Sequence, residues 1–315
     1  MKMTGLKGRD FISLGDFSPE ELNVFIETAL SLKRDYIVGN RKEILKGKTL
    51  AMLFESPSLR TRTSFETGMT QLGGHAIFIS TENIWGESPK DTAAVLSRYA
   101  DGIMARVSTQ QKMEDLAKYA TVPVINGLTD MYHPCQALAD IMTVREKKGK
   151  LKDIKMVYMW AYCHRARPAG VVHSLLLGCS KTGIDLTVAC PEGYEPLKRV
   201  VSRAEVEANR LGGRIEVTNN LKEAIEDADV VYAKNYRPPT LGEEEERALR
   251  EKNKDWILTN ELMKMAKSDA IFMHCMAVYR EEEVTSEVVD GPQSVIYDQA
   301  ENRLHAQKAI LALLL

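Results

Sequence analysis

The sequence is poor in cysteine, and its cysteines form no pattern. The five, at 135, 163, 179, 190 and 275, include no C-x-x-C pair. That excludes a zinc ribbon and a disulfide framework and points to a reducing compartment, the cytoplasm. No apolar run approaches the roughly 20 residues needed to cross a bilayer. The opening MKMTGLKGRDFISL lacks an apolar signal core. Net charge is only −2, so charge alone suggests no nucleic-acid or membrane partner. A glycine fingerprint is also missing. No G-x-G-x-x-G follows the first strand of the second half, and Gly212-Gly213 precedes a strand, the wrong context for a dinucleotide. A nicotinamide-dependent oxidoreductase would rest on the α/β pattern alone. Nothing in the residues calls for a cofactor or a metal.

What is present is an ordinary globular balance, 44% hydrophobic and 27% charged over 315 residues, a length that favours two domains. Ser18-Pro19-Glu20-Glu21 signals a helix start. Apolar runs predict strands at 50–54, 76–79, 102–105 and 122–125, with helices at 90–99, 111–119 and 137–146 between or after them. A basic break, 147–153, marks a junction. Beyond it strands are predicted from 155, and at 185–189, 214–217, 230–233, 270–273 and 294–297, with a last helix over 301–315. The acidic run 243–246 reads as a solvated helix start. Strand and helix alternate at the βαβ period. The expected fold is α/β: two Rossmann-like three-layer domains with mainly parallel sheets, 1–148 and 149–315, joined by bridging helices, the last helix packing back on the first domain. Ligands in such folds bind beyond the carboxyl ends of strands.

One stretch organises the chain. Ser58-Leu59-Arg60-Thr61-Arg62-Thr63 lies between the apolar run LAMLF and the helically spaced Phe65, Met69 and Leu72. It therefore sits where a strand ends and a helix begins. A helix N-terminus offers unpaired N–H groups and a partial positive charge. Hydroxyls and two guanidinium forks add to this, which suits an oxyanion, above all phosphate. The same residues also read as a Ser-capped surface helix with two solvated arginines. Other polar residues follow predicted strands: Arg106, His133-Pro134-Cys135-Gln136, Lys234-Asn235 and His274-Cys275, with Arg303 near the start of the last helix. His133 reads as a core histidine, a metal ligand or a donor to a carbonyl or phosphate oxygen. Cys275 reads as inert packing, a substrate contact or a nucleophile, although neighbours on a strand point to opposite faces, which makes His274 a poor base for it.

Taken together, ESPSLRTRTSFE, GESPKDTAAVLSRY, HPCQALAD, FMHCMAVYREEEVT and DQAENRLHAQKAIL resemble the aspartate/ornithine carbamoyltransferase family along nearly the whole chain, and LKGRDFISLGDFSPEE resembles its ornithine branch. The resemblance implies a homotrimer, or a multiple of one, with sites at subunit interfaces. It implies that carbamoyl phosphate binds first and that its carbamoyl group passes to an amine, ornithine-like, with phosphate released. Carried over, Ser58, Leu59 through its backbone, Arg60 and Thr61 hold the phosphate. Arg106 and His133 face the carbonyl oxygen, Gln136 the amide, and Cys275 and Arg303 close the carbamoyl side.

The departures from that pattern concern the acceptor. The ornithine enzymes' G-D-G-N-N turn is replaced by 160–170, WAYCHRARPAG, and the Asp and S-M-G after V-V-Y by 231–242, VYAKNYRPPTLG. Both replacements resemble the knotted branch that includes the N-acetylornithine and N-succinylornithine enzymes. That implies a backbone knot near 162–170, with an N-acylornithine or ureido acceptor as the alternative to ornithine. Lys234, Asn235, Met276 and the loop residue Trp85 become acceptor candidates, and Lys234 with Arg165, Arg167 and Arg237 suggests an acceptor carboxylate. Trp85 reads equally as a loop aromatic packed on its own domain. H-C-L-P is replaced by His274-Cys275-Met276-Ala277, which puts Ala277 where the family has a cis-proline and raises a degenerate, non-catalytic member as a further reading.

Overall fold

The computed structural model describes residues 5–81 and 86–315, which fall into two α/β units. One comprises the chain up to Met142 together with Glu301–Leu315, and the other is Thr143–Ala300. The helices Pro134–Lys148 and Ile296–Leu314 each run across that division.

The first unit is built on four parallel strands, β1 (Thr49–Phe54), β2 (His75–Ser80), β3 (Gly102–Arg106) and β4 (Val124–Leu128), in the order β2-β1-β3-β4. Leu50 to Phe54 is buried throughout, the reason it reads as an unbroken apolar run rather than an alternating one. β2 is an edge and is half exposed. Strand order reverses at β1, which puts a crevice at the carboxyl ends of β1 and β3. Phe11 extends the sheet beyond β4, donating to Val124 O at 2.8 Å and accepting from Asn126 N at 2.9 Å. Ser18 and Glu21 form the reciprocal capping box that starts the helix Pro19–Ile37. The last turns of the chain belong to this unit. A Cβ built on Gly68 would meet Leu304, Lys308 and Leu311 at 3.4–3.7 Å, and Lys33 donates to Asn302 Oδ1 at 2.9 Å.

The second unit holds β5 (Ile154–Met159), β6 (Ile184–Ala189), β7 (Ile215–Thr218), β8 (Val230–Ala233) and β9 (Ile271–Met273), all parallel, in the order β7-β6-β5-β8-β9. Its crevice lies where the order reverses, at the ends of β5 and β8. There the segment after β5 is tied to the segment after β8. Trp160 Nε1 donates to Tyr236 O at 2.8 Å, Asn235 Nδ2 to Ala161 O at 3.1 Å, and Arg237 N to Arg167 O at 2.8 Å.

One predicted strand is absent. Residues 294–297 make a single bridge, Ser294 to Phe272, and the chain then enters the helix Ile296–Leu314. A short apolar run does not distinguish a strand from a buried helix start. β9, at three residues, offers little edge to pair with. The last helix therefore starts before residue 301.

Candidate active site

The stretch from Ser58 to Thr63 takes its form from its immediate neighbours. β1 ends at Phe54, and Ser58 becomes the N-cap of the helix Leu59–Gln71 without making a side-chain cap bond. Its hydroxyl instead accepts from Arg106 Nη1 at 3.3 Å, while Arg106 Nε approaches Ser56 Oγ at 3.4 Å. Glu55 is turned away from the helix end, accepting from Ser108 N at 2.6 Å and Lys112 Nζ at 2.7 Å. Burial pushes its carboxyl up, but those bonds outweigh burial and hold it below its ordinary value. The helix end therefore keeps its positive character.

Arg106 is aimed by an irregularity in the sheet. Ala105 pairs with Asn126 but Arg106 pairs with Leu128, so Gly127 is skipped. A Cβ on Gly127 would come within 2.6 Å of Met104 Sδ and 3.1 Å of Ala105 O. Only glycine lets the two strands approach this closely.

Arg303 enters from the last helix. It is buried and donates from Nη1 to Gln136 Oε1 at 2.6 Å and from Nη2 to Thr61 Oγ1 at 3.1 Å. Gln136 in turn donates to Asp140 Oδ1 at 2.8 Å. The two lie one turn apart on a helix that is buried from Cys135 to Val144. His133 is also buried. Burial first, then the guanidiniums of Arg303, Arg106 and Arg60, hold its imidazole well below the ordinary histidine value. It is therefore neutral at neutral pH, a polar N–H donor rather than a further cation. Cys135 donates to Asn126 O at 3.3 Å, and burial pushes its thiol up to about 12, which makes it packing.

The structure thus brings Ser58, Arg60, Thr61, Arg106, His133, Gln136 and Arg303 together in the first unit, while the Leu59 side chain points out to solvent. Arg62, the second fork of the motif, is engaged elsewhere: it pairs with Glu66 at 2.9 Å and stacks over Phe78 at 3.8 Å. Ser56, Gly127 and Asp140 were not singled out from sequence. Asp140 had a signal, its i+4 spacing from Gln136.

The other candidates lie in the second unit. Lys234 and Asn235 follow β8 and are buried, and Cys275 and Met276 follow β9 and are partly exposed. Lys234 Nζ lies 2.5 Å from Glu283 Oε1. The Met276–Ala277 peptide is cis, with Met276 at φ +59°. Trp85 falls outside the described residues. Arg167 Nη2 donates to Tyr279 OH at 3.0 Å, and Arg237 lies 3.7 Å from Glu243. Among the described residues, Cys163, His164 and Glu282 bring ligand-type atoms within 4.8 Å of one another. His164 Nδ1 is already bonded to Glu282 at 2.8 Å.

Residues 9–146 match the sequence profile of the aspartate/ornithine carbamoyltransferase carbamoyl-P binding domain, and residues 152–314 match that of the Asp/Orn binding domain. The chain is 49% identical to the ornithine carbamoyltransferase of Pyrococcus horikoshii over 317 residues, covering 99% of this chain and 98% of that protein. It is also 49% identical to the ornithine carbamoyltransferase of Oceanobacillus iheyensis, with 98% and 95% covered. Among solved structures it is similar to ornithine carbamoyltransferase from Pyrococcus furiosus, with a TM-score of 0.92 at 48% identity and 99% and 98% covered. It is also similar to acetylornithine transcarbamylase complexed with acetylcitrulline, with a TM-score of 0.91 at 34% identity and 98% and 99% covered. Two matched domains and full-length relatives at this identity establish that the chain belongs to the aspartate/ornithine carbamoyltransferase family, a family of carbamoyl-transferring enzymes.

Proposed function

We propose that this protein transfers the carbamoyl group of carbamoyl phosphate to the side-chain amine of ornithine or an ornithine-like amino acid and releases phosphate. The observation that carries the proposal is the convergence of Arg60, Arg106 and Arg303 on a neutral, buried His133 beside the N-terminus of the helix Leu59–Gln71. In the reaction the amine lone pair forms a C–N bond to the carbonyl carbon. Negative charge gathers on the carbonyl oxygen, then passes to the phosphate oxygen as the C–O bond breaks, and the amine loses a proton. Fixed N–H donors and guanidiniums where that charge develops lower the barrier, and holding the amine against the carbonyl supplies the rest.

In this reading residues 1–148 bind carbamoyl phosphate and 149–315 the acceptor. Ser58, the Leu59 backbone, Arg60 and Thr61 take the phosphate, Arg106 and His133 the carbonyl oxygen, and Gln136 the amide. Cys275 and Arg303 are assigned to the carbamoyl group, and Asn235, Met276 and Trp85 to the acceptor side. Arg303 also orients Gln136 and Thr61, to which it donates. We further infer a homotrimer with sites at subunit interfaces, working in a reducing cytoplasm. Support for assembly comes from the first unit's exposed Leu59, Phe78, Val95 and Tyr99; native mass tests it. The interlaced segments after β5 and β8 support the expected knot near 162–170.

A second acceptor class, an N-acylornithine, is favoured by Lys234, which stands where an acidic group would meet a free amine. Phosphate release from carbamoyl phosphate, measured with ornithine, N-acetylornithine, N-succinylornithine, aspartate, putrescine and ureido amines, decides between them, with Arg60→Ala as control. Arg60-dependent release with ornithine supports the proposal. Release only with an acylated amine moves the acceptor to the second class. Binding without release from any amine overturns turnover and leaves a degenerate member.

A further inference from the structure

A buried ion pair stands at the end of β8, in the crevice of the second unit. Lys234 Nζ lies 2.5 Å from Glu283 Oε1, and both side chains are buried. Glu283 does more than neutralise the lysine. Its Oε1 also accepts from Asn235 N at 3.1 Å, and its Oε2 accepts from Tyr279 N at 3.0 Å. His274 is the fourth partner. Its Nδ1 lies 2.9 Å from Met276 N and accepts from it, so the proton sits on Nε2, which faces Glu283 Oε2 at 3.2 Å. One carboxylate therefore joins the end of β8 to both sides of the turn 274–279. Burial pushes the Glu283 carboxyl up, but Lys234 and His274 outweigh burial and hold it well below the usual carboxylate range. It stays ionised and keeps all four bonds.

We propose that Lys234 is a positioning residue: paired with Glu283, it sets the turn that presents Cys275 and Met276, and it is not a cation for the acceptor. Cys275 and Met276 matter here through their proposed roles, so this inference rests on the reading above. A buried lysine 2.5 Å from a carboxylate presents no net charge to a ligand. Asn235 helps to hold the same strand end, its amide bonding Ala161 O and Arg167 N at 3.1 Å each. The second unit would then select its acceptor by the shape of this turn, not by a charge at position 234.

The test compares Lys234→Met, Glu283→Gln, the double variant and Lys234→Arg. Two readouts are used: phosphate-release kinetics, and the rate at which iodoacetamide labels Cys275. The other four cysteines are buried, so labelling reports the turn without requiring turnover. Breaking one half of a coupled buried pair is expected to change the labelling rate and kcat about tenfold for every acceptor, with the double variant recovering to within about threefold of wild type. Lys234→Arg should hold both close to wild type. An acceptor KM raised about tenfold in Lys234→Met, with labelling unchanged and no recovery in the double variant, overturns the proposal. If the single variants do not fold, the double variant decides: wild-type labelling and KM support it, and a raised acceptor KM overturns it. If wild type itself releases no phosphate with any amine, the reaction assignment fails, while labelling still judges the positioning role.

Discussion

The two strand-end regions of this protein use cations in opposite ways. In the first unit, Arg106 donates to the hydroxyl oxygens of Ser56 and Ser58, and Arg303 to Thr61 Oγ1 and the Gln136 amide oxygen. The nearby Glu55 is drawn off by Ser108 and Lys112. These bonds fix where the two guanidiniums stand, and in the proposed function they stand where the phosphate and carbamoyl groups bind. In the second unit, Lys234 is cancelled by Glu283 and the pair spends its hydrogen bonds on backbone. There the charge maintains shape. The number of cations near a site is thus a poor guide to what the site binds; what each cation touches decides it.

The comparison breaks first at Arg106. If its charge is held for the ligand, Arg106→Ala should lose on the order of 10²–10³ in kcat/KM for carbamoyl phosphate, the usual cost of removing one donor to a developing oxyanion. Its melting temperature should stay close to wild type, because the residue is partly exposed and bonds to hydroxyls. A loss smaller than about fivefold, read in the same phosphate-release assay, would mean that the first unit's cations are as structural as Lys234.

Gly127→Ala probes how Arg106 is aimed. The added carbon would sit 2.6 Å from Met104 Sδ and 3.1 Å from a backbone oxygen, and the oxygen cannot move without the strand. Overpacking of this kind costs about 1–3 kcal/mol. Urea unfolding should show that loss, accompanied by a fall in activity larger than stability alone explains. Unchanged activity would separate the bulge from the site.

His133 supplies a pH test. Its folded-state value is depressed, by burial and then by Arg303, Arg106 and Arg60. As pH falls below about 6.5, the ordinary histidine value, the unfolded chain takes up a proton at this position and the folded protein does not. Stability therefore falls with falling pH, with a slope of up to about 1.4 kcal/mol per pH unit from this one group. His133→Gln lacks that component, so the stability of wild type relative to the variant should decline between about pH 7 and 5. Carbon-labelled imidazole spectra should show the ring titrating below the ordinary histidine value. A ring that titrates near 6.5 would mean that neither burial nor the three guanidiniums act on it as described.

Much of this was legible in the chain. β1 reads from LAMLF because a strand buried on both faces is a continuous apolar run, and the Ser18 cap reads because its box is local. Arg106 and His133 could be chosen as candidates because in parallel α/β sheets ligands bind beyond the carboxyl ends of strands. What sequence could not supply was long-range choice. Residues 281, 282 and 283 are three consecutive glutamates, and nothing local says that the third is the one buried against Lys234 and His274. The bulge at Gly127 depends on where β4 meets β3. Residues 294–297 carry an apolar pair that suits a strand or a helix start equally, and only the short partner β9 decides for the helix.

Arg60 and Arg62 show the same limit within one motif, and they define the smallest expected effect. Both are arginines on the first turn of one helix, two residues apart, which places them on different faces. Arg60 is close enough to His133 to act on its imidazole. Arg62 pairs with Glu66 one turn on and lies over the Phe78 ring. An exposed i,i+4 ion pair contributes about 0.3–0.5 kcal/mol, and an exposed cation–π contact about 0.5–1 kcal/mol. Arg62→Ala should therefore shift the urea midpoint slightly and leave kcat/KM for carbamoyl phosphate within about threefold of wild type, beside a loss on the order of 10²-fold for Arg60→Ala. Equal losses from the two would show that Arg62 leaves Phe78 to reach the ligand, and would add a fourth cation to the proposed phosphate site.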